Sequence, residues 1–131
     1  MATLTPTLKL ISAANSATSD ALSFEVTKAL SVIAPSVGLS KIAATTTATE
    51  SRIVPSVDGR RYIFIHHTGV DSSGADVTAE VYVHHNTTRI SKLGVDEFLF
   101  MPINGNGAQY IEVRSTTGTV VVEYAYWTKS S

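Results

Sequence analysis

Short segments in which apolar and polar residues alternate recur along most of the chain. Leu22 to Thr27 and Thr78 to His84 both show this period of two, which is typical of strands with one buried face. Tyr62 to Ile65 is apolar at every position, so we expect a central strand that is covered on both sides. Val120 to Trp127 is apolar in both phases, with its tyrosines in the phase of the buried valines and Trp127 in the other.

Turn-forming residues separate these segments at intervals of about 8–12 residues. We predict turns or loops at Pro35 with Gly38, Asp58-Gly59, Asp71 to Asp76, Asn104 to Gly107, and a hairpin tip at Thr117-Gly118. Further strands are predicted at Leu30 to Ile33, Leu39 to Ala44, Arg52 to Val54, Arg89 to Leu93, Phe98 to Met101 and Tyr110 to Val113. The pattern therefore predicts an all-β chain, a single antiparallel β-sandwich or jelly roll of about nine or ten short strands.

The N-terminal segment has a different character. Residues 1–20 carry mostly small polar side chains, with Leu4, Leu8, Leu10 and Ile11 as apolar anchors. We predict an extended arm over residues 1–20, ending in a flexible link, and one β-sandwich domain over 21–131. An arm of this kind can add a strand to the sheet edge of a neighbouring molecule, so these four residues are candidate partner contacts.

The charge and composition exclude several classes of function. The net charge is -1 and charged residues make up 16 % of the chain, below the usual share of about 25 %. No basic patch indicates nucleic acid as a partner. No apolar segment approaches the ~18 residues of a membrane helix, and the N-terminus does not read as a signal peptide. The chain has no cysteine, which excludes thiol catalysis and iron–sulfur clusters.

Two histidine pairs, His66-His67 and His84-His85, are the candidate metal ligands. Adjacent residues on a strand point to opposite faces, so neither pair can chelate a metal by itself. A metal site, as in a cupin-type enzyme, requires one histidine of each pair to meet across strands. The alternative is that these are histidines at strand ends, and we expect no metal and no cofactor.

Carboxylates offer two further candidates for chemistry. The loop from Asp71 to Asp76 lacks the ligand spacing of an EF-hand calcium site. A glycosidase needs two carboxyl groups at about 5–9 Å, and the strand carboxylates are Glu25, Glu80, Glu112 and Glu123. Each lies in the polar phase of its strand, which a solvated face explains. No phosphate loop or nucleophile elbow is present, so we expect no enzymatic activity.

Aromatic residues are the last candidate binding feature. An exposed Tyr or Trp platform would indicate a carbohydrate-binding module or a protein interface. Tyr124 and Tyr126 share the phase of Val120 and Val122, so we expect them in the core. Trp127 has the opposite phase and is the candidate partner contact in this strand.

The C-terminal half carries a resemblance to a known class of proteins. It reads Gly94-Val95-Asp96-Glu97-Phe98-Leu99-Phe100-Met101-Pro102, then a Gly/Asn turn, then Ile111-Glu112-Val113 and Val122-Glu123-Tyr124-Ala125-Tyr126-Trp127. With Arg61 to Ile65, this run resembles small β-rich structural proteins of tailed bacteriophages, over roughly residues 22–127. The resemblance brings no catalytic residues.

The resemblance implies a capsid decoration, or cement, protein in the virion, assembled in the host cytoplasm. Its expected partners are the major capsid protein or another virion protein, together with further copies of itself in a dimer or trimer. A neck or tail position is the alternative within the virion. Carbohydrate binding is the alternative of another class.

Overall fold

The computed structural model describes residues 1–12, 22–47, 51–54, 59–105 and 110–130, and these residues form strands and connections without a helix. In chain order the strands are β1 (Ala2–Leu4), β2 (Thr7–Ser12), β3 (Leu22–Thr27), β4 (Leu30–Ala44), β5 (Arg52–Val54), β6 (Gly59–His67), β7 (Val81–His85), β8 (Thr88–Leu93), β9 (Phe98–Gly105), β10 (Ile111–Ser115) and β11 (Val120–Lys129). All registers defined between these strands are antiparallel. The prediction of an all-β antiparallel chain is confirmed.

The chain divides into two compact units. The first comprises Met1–Ile33 with the last two residues, and the second comprises Ala34–Lys129. In the first unit, β2 pairs with β3 as a two-stranded sheet, and β1 pairs with the beginning of β4. The predicted boundary between residues 20 and 21 lies outside the described residues, as does most of the link that precedes it.

The second unit contains two sheets. One has the strand order β4-β11-β6-β9, and the other has the order β5-β10-β7-β8. A single apolar cluster draws on the inward faces of both sheets, because every second residue of a strand points to the same side. Its fully buried members include Ile63, Ile65, Val122, Val81, Val83, Ile111 and Val113. Tyr126 also belongs to this core, as predicted from its phase, and Tyr124 is partly buried and packs against it.

The turn predicted at Pro35 and Gly38 is wrong. Strand β4 runs without interruption from Leu30 to Ala44 and includes both Pro35 and Gly38. The backbone there is held by the C-terminal strand: the Thr128 hydroxyl donates to the Pro35 carbonyl at 2.5 Å, and the Thr128 N–H donates to Ser36 Oγ at 3.4 Å. These hydrogen bonds to Thr128 hold the backbone at Pro35 and Ser36 in the strand, although the local sequence favours a turn there.

Thr117-Gly118 forms a connection rather than a hairpin tip. The strands on either side of it, β10 and β11, belong to different sheets. Gly118 has a φ of 59°, and its carbonyl accepts a 2.5 Å hydrogen bond from the Ser115 hydroxyl. The loop from Asp71 to Asp76 is confirmed as a polar loop. Asp58 and residues 106–107, where two further turns were predicted, lie outside the described residues.

Candidate functional site

The outward side of β6, β9 and β11 carries a set of aromatic side chains. In the register of β6 and β9, Phe64 lies opposite Phe100, and His66 lies opposite Phe98. In the register of β6 and β11, Tyr62 lies opposite Trp127. Residues directly opposite each other share a face of the sheet. We call this surface the aromatic face, defined by Tyr62, Phe64, Phe98, Phe100 and Trp127.

These rings contact one another but remain open to solvent. Tyr62 and Phe100 stack at 6.0 Å between ring centroids with an angle of 10° between their planes. Phe64 and Phe98 lie 6.4 Å apart. Phe98 is 61 % exposed and Phe100 is 38 % exposed. The prediction that the strand from Tyr62 to Ile65 is covered on both sides is therefore wrong, since Ile63 and Ile65 are buried and the opposite side is open.

Charged groups surround the aromatic face. The Lys129 ammonium lies 4.6 Å from the centroid of the Tyr62 ring, a geometry in which the cation is attracted to the ring face. Glu123 lies opposite His66, with its carboxylate 3.5 Å from His66 Nδ1 and 3.9 Å from the Lys41 ammonium. An apolar centre with a charged border is typical of surfaces that bind other molecules.

The aromatic face reaches the end of its sheet. Strand β9 is the last strand in the order of this sheet among the described residues, and it carries Phe98 and Phe100. Pro102 lies on the same side, opposite Tyr62, and is exposed. A partner could therefore contact the aromatic face both above the plane of the sheet and along its edge at β9.

The candidate partner contacts predicted from the sequence lie in different places. Trp127 is on the aromatic face and partly buried. Leu4 is in β1, and the other three are in β2, where Leu8 and Leu10 share one side and Ile11 lies on the other. Leu8 and Leu10 are about half exposed, and Ile11 is 68 % exposed. The structure thus keeps Trp127 in one unit and the four arm residues in the other.

The two histidine pairs belong to different sheets. His67 is fully buried, and both ring nitrogens are used: the Gly69 N–H donates to Nδ1 at 3.0 Å, and Nε2 donates to the Ala79 carbonyl at 2.8 Å. His85 lines an open depression of about 300 Å³ with Ile90 and Met101. Across the described ranges, no three His, Cys, Asp or Glu side chains are grouped so that they could hold a metal ion.

A second cluster lies on the outward side of the other sheet. Glu112 on β10 is opposite His84 on β7, and both are buried, at 1 % and 7 % exposure. Arg114 Nε donates to Glu112 Oε1 at 2.6 Å, and a terminal nitrogen of the same guanidinium also contacts this oxygen. Glu112 Oε2 and His84 Nδ1 have no hydrogen-bond partner within the part of the chain that is described.

Two further arginines border this cluster. Arg52 lies opposite Glu112 on β5, and Arg89 lies opposite His84 on β8. Each guanidinium stacks on a tyrosine, Arg52 at 3.7 Å from Tyr110 and Arg89 at 3.6 Å from Tyr82. Burial lowers the pKa of His84, and the charges of Arg114 and Arg89 lower it further, against the opposing effect of Glu112. In the buried pair, the Glu112 carboxyl group therefore lies beside the His84 imidazole, whose lowered pKa disfavours its protonation.

Three other candidate carboxylates, Glu80, Glu25 and Asp71, lie apart from this cluster. Glu80 binds the Lys92 ammonium at 2.6 Å, and Glu25 lies opposite Lys9 in the first unit. Asp71 closes its own loop, since Oδ1 accepts hydrogen bonds from the Ser73 backbone, the Ser73 hydroxyl and the Ala75 backbone, and these bonds lower its pKa. The prediction that Glu112 lies on a solvated face is wrong, because its side chain is buried against Arg114.

Of these arrangements, the aromatic face is the one suited to binding, because its rings are accessible while the Glu112–His84 pair is covered. The sequence pattern identified Trp127 but missed the four other rings, because Tyr62 to Ile65 was predicted to be covered on both sides and Phe98 to Met101 was predicted only as a strand. The signal present was the pairing of two apolar-rich segments, Tyr62 to Ile65 and Phe98 to Met101, whose outward residues are all aromatic.

No helix in the described ranges is long and apolar enough to span a membrane. Comparison with models of protein families, with curated proteins and with solved structures finds no match to this chain.

Proposed function

We propose that this chain is a capsid decoration protein, a non-enzymatic structural protein that binds a preassembled shell of major capsid protein and stabilises it. The observation that supports a docking role is the open aromatic face. The shell as the partner comes from the resemblance of the sequence to small virion proteins of tailed phages.

The chemistry of the aromatic face suits a protein partner. Contiguous exposed apolar surface on a soluble domain marks interaction sites, and aromatic side chains are enriched among the residues that dominate interface energetics. Phe98 and Phe100 project from the last strand of the sheet, where a partner can reach them. The ion pair of Glu123 with Lys41 and the contact of Glu123 with His66 lie beside the rings and would form part of a polar border.

The second unit, on this proposal, is a single β-sandwich. The apolar cluster shared by the inward faces of its two sheets supports this arrangement. A sandwich of this kind leaves two outward faces, one aromatic and one built around Glu112 and the arginines. The former would bind the shell, and the latter would remain in solvent.

The first test is the number of copies per particle, measured by quantitative mass spectrometry of purified particles from the phage that encodes the chain. A copy number comparable with that of the major capsid protein is expected. A few copies per particle would move the protein to the neck or tail, and absence from particles would overturn the virion proposal. Particles that lack the chain should also lose tolerance to heat and osmotic shock.

The second test addresses the surface itself. Purified chain is sedimented with shells stripped of it, and the bound fraction is measured for the wild type and for the double variant Phe98→Thr with Phe100→Thr. We expect the variant to bind about 30-fold more weakly or worse. Ile90→Thr is the matched control, because Ile90 is 40 % exposed and lies on the other sheet. Equal loss in the control would contradict docking through the aromatic face.

Carbohydrate binding is a second candidate, because Trp127 and Tyr62 lie side by side on an open face. Aromatic rings with an accessible surface can stack on the apolar side of a sugar ring. A glycan array screened with the purified chain would give hits that disappear in Trp127→Ala. An array without hits, together with binding to shells, would exclude this alternative.

A further inference from the structure

The first unit contains a ribbon with two chemically different sides. In the register of β2 and β3, Leu8 lies opposite Val26, Leu10 opposite Phe24, and Ser12 opposite Leu22. Because opposite residues share a side, five apolar residues line one face of the ribbon. We call this the ribbon face, defined by Leu8, Leu10, Leu22, Phe24 and Val26.

The other side of the ribbon is mostly polar, with Ile11 as its one apolar residue. Thr7 and Thr27 share a hydrogen bond of 2.8 Å between their hydroxyl oxygens. Lys9 lies opposite Glu25, so the one cation and the one anion of the two paired strands are on this side. The ribbon is therefore amphipathic, and its apolar side carries no charge.

The apolar side chains of the ribbon face are about half exposed, which is unfavourable for the stability of a two-stranded sheet. Its five residues are each 45–48 % exposed, and no residue of β2 or β3 is buried. An isolated two-stranded hairpin is marginal in water unless a further layer covers its apolar side. A layer that covers the ribbon face would therefore stabilise this unit.

The area of the ribbon face is large enough for a contact with itself. Aromatic side chains have roughly 150–250 Å² of surface and aliphatic ones less, so the five exposed portions amount to at most roughly 400 Å² of apolar surface. A stable dimer buries about 800 Å² on each partner, and in a homodimer about 65 % of this area, roughly 500 Å², is apolar. The ribbon face therefore supplies a large part of the apolar area of one such interface.

We propose that the ribbon face packs against the ribbon face of a second copy of this chain, so that the protein is a two-fold symmetric homodimer. In such a contact the same patch meets itself. The uncharged face makes this possible, because no like charges approach each other and no charge is buried. This inference does not depend on the proposed binding of a shell by the aromatic face.

Light scattering coupled to size-exclusion chromatography of the full chain tests the proposal. The wild type should have twice the 14.0 kDa mass of one chain. Phe24→Thr keeps a strand-forming residue but removes apolar area from both copies, and should raise the dimer dissociation constant at least about 100-fold. Ile11→Thr is the matched control on the opposite side of the same ribbon and should leave the dimer unchanged. The fluorescence of Trp127, the only tryptophan, verifies that the second unit is folded.

A cross-linking measurement keeps the proposal testable if Phe24→Thr is poorly folded. Because the chain has no cysteine, Leu10→Cys and Ile11→Cys each introduce one thiol. Under mild oxidation Leu10→Cys should form a disulfide-linked dimer much faster than Ile11→Cys. A wild type that stays monomeric at micromolar concentration, or equal cross-linking of both variants, would overturn the two-fold contact. Loss of binding to shells in Phe24→Thr, with no change in the mass of the particle in solution, would also overturn the two-fold contact.

Discussion

Glu112 and His84 lie opposite each other on neighbouring strands, and both are withdrawn from solvent although each is able to carry a charge. The carboxylate is held by Arg114, the guanidinium two residues further along β10. Two arginines on the outer strands, Arg52 and Arg89, bring further positive charge to the same row. The stability of this sheet should therefore depend on the ion pair and on pH.

Arg114→Met should destabilise the fold by about 2–4 kcal/mol, because it leaves the Glu112 carboxylate buried without its counter-ion. Urea unfolding followed by Trp127 fluorescence measures this. Lys92→Met is the control, since its ion pair with Glu80 is exposed, with side-chain exposures of 47 % and 44 %. The double variant Glu112→Met with Arg114→Met should regain most of the loss. A single Arg114→Met as stable as the control would contradict the role of the pair.

Acid should destabilise the protein through His84. Its pKa is lowered in the folded state from an ordinary value of 6.5, so the unfolded chain takes up a proton more readily than the folded one. The contribution of neutral His84 is complete above about pH 6.5 and is lost as the pH falls below that value toward the folded-state pKa. The free energy of unfolding, measured at intervals from about pH 7.5 downward, should fall less steeply in His84→Gln. Parallel curves for the two proteins would refute this.

Two adjacent histidines should respond very differently to substitution. His67→Leu should destabilise by about 2–4 kcal/mol, because it leaves the Gly69 N–H and the Ala79 carbonyl without their buried partner. His66→Leu changes a side chain on the open side of the same strand, so its effect should be much smaller. Thermal unfolding of both variants decides the matter, and equal losses would show that the buried hydrogen bonds of His67 contribute little.

Two glycines provide a test of backbone conformation. Gly118 has a φ of 59°, which costs a non-glycine residue about 1–2 kcal/mol, so Gly118→Ala should destabilise by that amount. Gly38 lies within β4 with open space around its Cα. Gly38→Ala should be neutral or stabilise by up to about 1 kcal/mol, since it restricts only the unfolded chain. Relative to the wild type, the denaturant midpoint should fall in Gly118→Ala and should stay the same or rise in Gly38→Ala.

Most strands after residue 21 were predictable from local pattern, but their partners were not, and β1 and β2 lie in the segment that was predicted as an arm. The alternation in Leu22 to Thr27 gave β3 with the observed bounds, and the phase of Tyr124 and Tyr126 gave their place in the core. Thr117-Gly118 looked like a hairpin tip because turn chemistry is local, whereas the choice of sheet for β10 and β11 depends on residues far away in the chain.

The candidate sites were less accessible to prediction for a related reason. A polar residue in the outward phase of a strand is normally solvated, and Glu112 departs from this because Arg114 and the neighbouring strands cover it. The aromatic residues of β6 were predicted to be covered, and those of β9 were not recognised as a surface, because periodicity does not tell whether another layer lies on a sheet. Only the register shows that their outward residues form one surface.

The position of Pro102 opposes pairing of β9 with a strand of another molecule. Pro102 lies in the middle of β9, the last strand of its sheet among the described residues, and this strand also carries the exposed Phe98 and Phe100. A proline in such a strand removes an N–H that an incoming strand would otherwise bind. We therefore expect Pro102 to interrupt intermolecular backbone pairing along the strand that carries exposed phenylalanines, and so to lower the tendency of this surface to form cross-β fibres.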